Sequence, residues 1–342
     1  MSGSGAPTSG TSGIITHRDT VASDSPTSSS MPESQESRTQ ENMKNLIMKE
    51  LRGATFFVDL TNQDAVFHAD SNNVQAVLHH LQEHYNLTSN TLCGGGTSSE
   101  TSPRFPPGGF DKEKLSYEPL VHLLNIIVHA TNVRLQATER YLRDLRFRSY
   151  GKELIETYGS MKALKPDVVG LVVDLPDKQR ISWRQVEVVI EVKNQIPELV
   201  KQAATYARCC LVHNQRRSFA IAIGFDQKHL VAWFFVFHRS GLSSSHSLSL
   251  RTQEGFEHFV KHIVGMLSIQ DEAGYGLDVT RSQEDILSIN DRYYAINSRV
   301  YMRDSLRGRS TVVYNLEGTI LAYFAEFRLR GSPCSTHRRS FL

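Results

Sequence analysis

The feature that most constrains this chain is a succession of four short apolar segments between residues 167 and 238: "DVVGLVVDL", "SWRQVEVVIEVK", "SFAIAIGF" and "LVAWFFVFH". Each is rich in β-branched and aromatic residues, is bounded by Pro, Gly or Asp, and reads as a strand. Between the second and third lies "PELVKQAATYARCCLVHN", with Pro197 where a first helical turn tolerates proline and an alanine-rich interior that favours helix. Ahead of them, Leu120, Leu123, Leu124, Ile127 and Val128 line one face of a helix expected over 116–130. Helix, two strands, helix, two strands is an α/β order, which predicts a sheet flanked by helices.

A chain of 342 residues with 39% hydrophobic composition can build a sizeable core and roughly two or three domains. Its formal charge of +2 gives no overall basic field, so nucleic acid would have to be held by a local patch. Cys93, Cys209, Cys210 and Cys334 show neither CxxC pairing nor matching histidine spacing, which argues against a zinc knuckle or a disulfide framework and for a reducing compartment. No apolar run reaches the length of a membrane span, and "MSGSGAPTSG" lacks the features of a secretory signal. The expectation is a cytoplasmic or nuclear protein with no membrane partner.

Residues 1–43 contain 11 Ser and 6 Thr and one aliphatic pair, Ile14–Ile15, so a disordered tail is expected over 1–44. Val74, Val77, Leu78, Leu81 and Tyr85 recur at helical spacing, with Ser71 or Asn72 as the cap, and the glycines and prolines of 88–109 read as a flexible linker. Together these form an N-terminal helical element and linker over 45–112. In "TERYLRDLRFRS", the arginines at 140, 143, 146 and 148 among Tyr141, Leu142, Leu145 and Phe147 suit an amphipathic helix with one basic side. His258 and His262 read as helix-surface histidines, Cys209 and Cys210 as packed thiols, and Trp183 and Trp233 as core residues of strands.

In a strand over 187–193, Glu187, Val189, Glu191 and Lys193 share one face. A Glu-x-Lys pair is also what an exposed ladder position looks like, so its surroundings decide. Asp167 opens the preceding strand, and a hairpin can bring it beside Glu191. Gln202 and Tyr206, at i and i+4, share a face of the helix that follows Lys193.

"PD" at 166–167, "EVK" at 191–193 and "QAATY" at 202–206 resemble the core of the PD-(D/E)XK nuclease superfamily, and the Q-x-x-x-Y element resembles one of its branches. The resemblance implies a PD-(D/E)XK-like α/β domain over 113–270. It implies Asp167 and Glu191 as ligands of Mg²⁺ and Lys193 as the cation near a metal-bound water, with Gln202 and Tyr206 completing the site. A helical carboxylate is usual in the superfamily; Glu118 is the candidate, with Glu139 and Glu153 as alternatives.

A second resemblance, over about 115–320, is to the fungal-type protein kinase family, carried by "KPDVVGLVVD", "VIEVKN", "QAATYARCCLVHNQRRSFAIAIGF", "HRSGLSSSHSLSL", "GFEHFVKHIVGML" and "GRSTVVY". It implies a connector over 271–300 and an incomplete kinase N-lobe over 301–325, with Gly308 the remnant of a phosphate loop. Kinase chemistry needs a phosphate-holding lysine, a catalytic-loop Asp and a metal-binding Asp. The last lysine is Lys261, and neither His-Arg-Asp nor Asp-Phe-Gly follows "GRSTVVY". Neither ATP binding nor phosphotransfer is therefore expected of these residues. The irregular stretch 326–342 resembles nothing in the family and reads as a truncated end. The family function is ATP-dependent protein phosphorylation, and the expectation for this chain is a non-catalytic regulatory or recognition module with an unidentified protein partner. The alternative is a Mg²⁺-dependent nuclease, the one reading in which nucleic acid is a partner.

Overall fold

The computed structural model describes residues 40–63, 65–94, 103–135, 145–150, 164–172, 181–214, 216–269, 276–277, 286–289, 292–302, 306 and 312–319, all within the compact unit Ser34–Leu342. In chain order the elements are α1 (Gln40–Leu51), β1 (Thr55–Phe57), α2 (Ser71–Tyr85), α3 (Ser89–Leu92), α4 (Glu113–Leu135), β2 (Arg146–Ser149) and β3 (Val168–Leu171). A 3₁₀ turn, Trp183–Gln185, leads into β4 (Val186–Val192), α5 (Ile196–His213), β5 (Phe219–Asp226), β6 (Val231–His238), β7 (Gly241–Ser244) and β8 (Leu248–Ser249). α6 (Gln253–Leu267), β9 (Ile286–Ile289), β10 (Arg292–Met302) and β11 (Val312–Thr319) complete them.

Eight strands form one mixed sheet in the order β1-β7-β6-β5-β4-β3-β2, with β8 paired to β6. β1 pairs with β7 and β4 with β5 in parallel; the other pairs are antiparallel. The parallel β4–β5 pair follows from α5, since parallel neighbours need a crossover long enough to return the chain to the same end of the sheet. α2, α4 and α6 bury Val77, Leu124 and Phe259 against one face, with Val188, Ile190 and Phe234. α1 and α5 bury Ile47, Leu199 and Tyr206 against the other, with Trp183 and Val189. The expected α/β sheet flanked by helices is what the chain forms. β9, β10 and β11 make a separate three-stranded antiparallel sheet in the order β11-β10-β9.

Several local expectations are corrected. Residues 1–39 of the expected tail lie outside the described residues, and residues 40–44 are already helix α1. The cap of α2 is Asp70, whose Oδ1 accepts from the backbone N–H groups of Asn72 and Asn73. The described ends of the 88–109 stretch are anchored rather than loose: Leu92 and Phe105 are buried in the first core, and the Phe105 N–H donates to the Leu92 carbonyl. Gly109 (φ +79°) lies so close to the Lys228 carbonyl that a Cβ there would be 2.0 Å from its oxygen. The first core therefore draws residues from both sides of the 112/113 boundary. Arg146–Ser149 is strand β2, not the end of a basic helix, because it pairs with β3 and buries Leu145 and Phe147 on one face, while Arg146 is exposed and Arg148 half-buried; residues 136–144 lie outside the described residues. Trp183 is core but belongs to the 3₁₀ turn.

His262 is buried, not on the helix surface. Its ring stacks on Phe234 with centroids 4.7 Å apart, and its Nδ1 meets the His258 carbonyl at 2.7 Å. Burial is the main reason its pKa falls from 6.5 to about 4. A depressed histidine pKa means that the unfolded chain takes up a proton first as pH falls, so the folded state loses ground below pH 6.5. Between pH 7 and pH 5 this group alone is expected to cost about 2 kcal/mol. Urea midpoints across that range check it, and His262→Phe should flatten the slope.

Candidate functional site

The site is built at one end of the sheet from the ends of β3, β4 and α4. The β3–β4 register ends with Val168 opposite Ile190. One residue further on, Asp167 therefore lies across from Glu191, with both side chains on the same side of the sheet. The β4 backbone reaches Asp167 directly: the Val192 N–H donates to Asp167 Oδ2 at 2.9 Å. From α4, the Tyr117 hydroxyl donates to Asp167 Oδ1 at 2.5 Å.

Glu191 is the unusual residue. It is 0% exposed, and neither carboxylate oxygen has a hydrogen-bond partner among the described residues. Lys193 Nζ lies 3.2 Å from Glu191 Oε1, an ion pair without hydrogen-bond alignment. The same ammonium donates to Glu113 Oε2 at 2.8 Å and to the Val192 carbonyl at 3.1 Å. Burial, followed by the charge of Asp167, pushes the Glu191 carboxyl well above its ordinary range, and burial also raises Asp167 against its two hydrogen bonds. Burial alone would depress the Lys193 ammonium, but the attraction of Glu191 and hydrogen bonding to Glu113 more than offset it, and its pKa is raised. A buried carboxylate costs stability unless its charge is compensated, and here the nearby cation is the Lys193 ammonium.

Gln202 and Tyr206 lie on α5 behind this cluster. Gln202 Nε2 donates to the Tyr206 hydroxyl at 2.8 Å, and that hydroxyl donates to the Lys165 carbonyl at 2.7 Å, two residues before Asp167. The pair thus braces the segment that delivers Asp167. Glu118 is elsewhere: it is exposed, and its Oε1 accepts from the Ser149 hydroxyl. The helical carboxylate that meets Lys193 is Glu113, five residues earlier in α4. Glu139, Glu153 and Gly308 lie outside the described residues.

Residues 165–319 match the family model described as fungal protein kinase. These residues belong to the fungal protein kinase family. No curated protein and no solved structure matches the chain. The fungal protein kinase region contains Asp167, Glu191, Lys193, Gln202 and Tyr206, together with the three-stranded sheet. Glu113 and Tyr117 reach the site from outside the matched residues. Sequence reading missed both; the available signal was their i, i+4 spacing, which puts them on one face of α4 at its N-terminal turn.

The donor set suits a hard divalent cation such as Mg²⁺. Asp167 and Glu191 supply carboxylate oxygens, and both Glu191 oxygens lack hydrogen bonds. Among the described residues no three His, Cys, Asp or Glu side chains gather closely enough to hold a metal by themselves. Tyr117 fixes how Asp167 presents itself: burial, then the bond to Asp167, holds the phenol pKa far above its usual value, so it remains a donor. Tyr117→Phe is expected to destabilise the protein by about 1–2 kcal/mol through loss of that bond to a partly buried carboxylate, read as a lower urea midpoint.

Proposed function

We propose that the fungal protein kinase region of this chain carries a divalent-cation-dependent phosphodiester-hydrolysing site of the PD-(D/E)XK nuclease type, acting on nucleic acid. The observation that carries the reading is the buried Glu191 carboxylate, without a hydrogen bond, beside Asp167 and Lys193 at one end of the sheet. The element order accords with it: the expected helix, two strands, helix and two strands are present as α4, β3 and β4, α5, and β5 and β6, with β4 and β5 parallel.

In this mechanism Asp167 and Glu191 would hold Mg²⁺, while Glu113 holds the Lys193 ammonium. Bound there, Mg²⁺ supplies Lewis-acid polarisation of a phosphoryl oxygen and an acidified water. Lys193, kept as an ammonium by Glu191 and Glu113, contributes positive charge against the phosphorane-like transition state rather than acting as a base. Tyr117 and the Val192 N–H orient the Asp167 carboxylate, and Gln202 and Tyr206 hold the backbone ahead of it. Kinase chemistry is not assigned to these residues, because no lysine follows Lys261 and no His-Arg-Asp or Asp-Phe-Gly follows "GRSTVVY".

A non-catalytic regulatory or recognition role is the second reading. One observation favours it: the Lys193 ammonium already stands where a cation would neutralise Glu191, while also bonding Glu113 and the Val192 carbonyl. The experiment is incubation of purified protein with end-labelled single-stranded DNA, duplex DNA and RNA in Mg²⁺, Mn²⁺ or EDTA. Cleavage that needs the cation supports the nuclease reading; intact substrate in every arm supports the regulatory one.

A further inference from the structure

α1 is absent from the matched family residues, yet it touches both parts of the molecule that they contain. Ile47 and Leu51 bury its apolar side in the second core, where Tyr206 and Leu306 also lie. At one end, Lys44 Nζ donates to Gln202 Oε1 at 3.2 Å. An ammonium only donates, so this contact fixes the amide with its oxygen toward Lys44 and its nitrogen toward Tyr206. Gln202 then donates to the Tyr206 hydroxyl, and Tyr206 to the Lys165 carbonyl. A chain of three hydrogen bonds thus runs from α1 to the backbone two residues before Asp167.

Six residues further along α1, about 9 Å at 1.5 Å per residue, Glu50 Oε2 accepts from the Leu306 N–H at 2.8 Å. Leu306 lies in the connection between β10 and β11, and its side chain is fully buried in the second core. Its carbonyl faces Arg239 Nη1 at 3.5 Å, at the turn that follows β6. Leu306, in the connection between the two longer strands of the small sheet, is therefore held to the α/β body by α1.

We propose that α1 is a coupling element: Lys44 is a positioning residue for the Asp167 end of the site, Glu50 and the second core hold Leu306, and the order of the two regions rises and falls together. The significance of Asp167 rests on the nuclease reading, whereas the coupling is a property of the metal-free protein and is tested there. A ligand that engages Gln202 would compete with Lys44 and loosen the hold on Leu306. Displacement of Leu306 would in turn loosen the segment that delivers Asp167.

The test is amide hydrogen exchange on the metal-free full chain, comparing wild type with Lys44→Met, Lys44→Arg and Glu50→Met, each first checked for native circular dichroism. Lys44→Met keeps the aliphatic stem and removes the donor, and losing one part-buried hydrogen bond corresponds to a roughly five- to tenfold rise in local opening. That rise is expected both at Val168–Val169 and at the distant Leu306 amide, with Lys44→Arg restoring wild-type rates. Glu50→Met should produce the reciprocal change, at Leu306 and at Val168–Val169. Leu306→Ala is a stronger perturbation that should agree if it folds; Glu50→Met decides the matter if it does not. Exchange changes confined to α1, or Lys44→Arg behaving like Lys44→Met, would overturn the proposal whatever the outcome of the metal and cleavage experiments.

Discussion

Replacing Lys193 by methionine is expected to destabilise the metal-free protein by about 3–5 kcal/mol, while replacing Glu191 by methionine is expected to stabilise it by about 1–3 kcal/mol. The opposite signs follow from burial. Glu191 is 0% exposed and has Lys193 Nζ as its nearby cation at 3.2 Å, so removing the ammonium leaves a buried carboxyl that must either stay charged without that cation or take up a proton. Removing the carboxylate instead leaves Lys193 still bonded to Glu113 and to the Val192 carbonyl. A methionine of similar volume at position 191 would meet the apolar surroundings of Val189, Leu199 and Tyr206. The Lys193→Met/Glu191→Met double variant should recover most of the loss, since neighbouring charges do not act additively. Urea denaturation in EDTA provides all four values. An exposed strand pair would give four values within about 1 kcal/mol of one another.

Asp167→Asn is expected to lower cation-dependent cleavage by about 10³-fold or more. The substitution keeps the size of the side chain and one acceptor, toward Tyr117 or Val192, but it withdraws one of the two carboxylates proposed to hold the cation. Losing about 4 kcal/mol of transition-state charge stabilisation corresponds to that factor. Because Asp167 is partly buried and raised in pKa, the neutral amide should be tolerated by the fold. The variant should keep its far-ultraviolet circular dichroism and lose no more than about 1–2 kcal/mol at the urea midpoint, the loss expected for one of its two hydrogen bonds, while losing turnover, which separates a chemical role from a structural one. Initial rates on end-labelled oligonucleotides give the number.

The backbone of the site was legible in the sequence because its signals are local. β4, α5, β5 and β6 each declare themselves through a short apolar run rich in β-branched and aromatic residues or an alanine-rich helix with an early proline, and Asp167, Glu191 and Lys193 fall where a strand pair would place them. Glu113 and Tyr117 were not legible as site residues. "DKEKLSYEP" looks like a solvated helix start, and only the three-dimensional approach of α4 to the end of β3 makes Glu113 a partner of Lys193 rather than its neighbour Glu118. Arg146–Ser149 reads as basic helix until its pairing with β3 is known, because four residues are too few for either period to dominate. The Gly- and Pro-rich stretch near 105 concealed one strong anchor, Phe105, within a composition that otherwise signals a linker. Lys44, 123 residues before Asp167 and in a segment expected to be tail, reaches the site through a tertiary hydrogen bond that no local pattern encodes.

The central claim is that Asp167 and Glu191 form a cation site rather than a strand end, and the thermal midpoint as a function of Mg²⁺ or Mn²⁺ tests it most directly. Binding to the folded state alone stabilises by about 2.7 kcal/mol at a hundredfold excess over Kd, which corresponds to a rise of about 5–10 °C for a folded body of this size. That rise is expected for the wild type, with saturation, and its loss in both Asp167→Asn and Glu191→Met, even though Glu191→Met starts from the higher midpoint in EDTA. A wild-type midpoint that does not move with either cation, or a shift that survives in both variants, would contradict it.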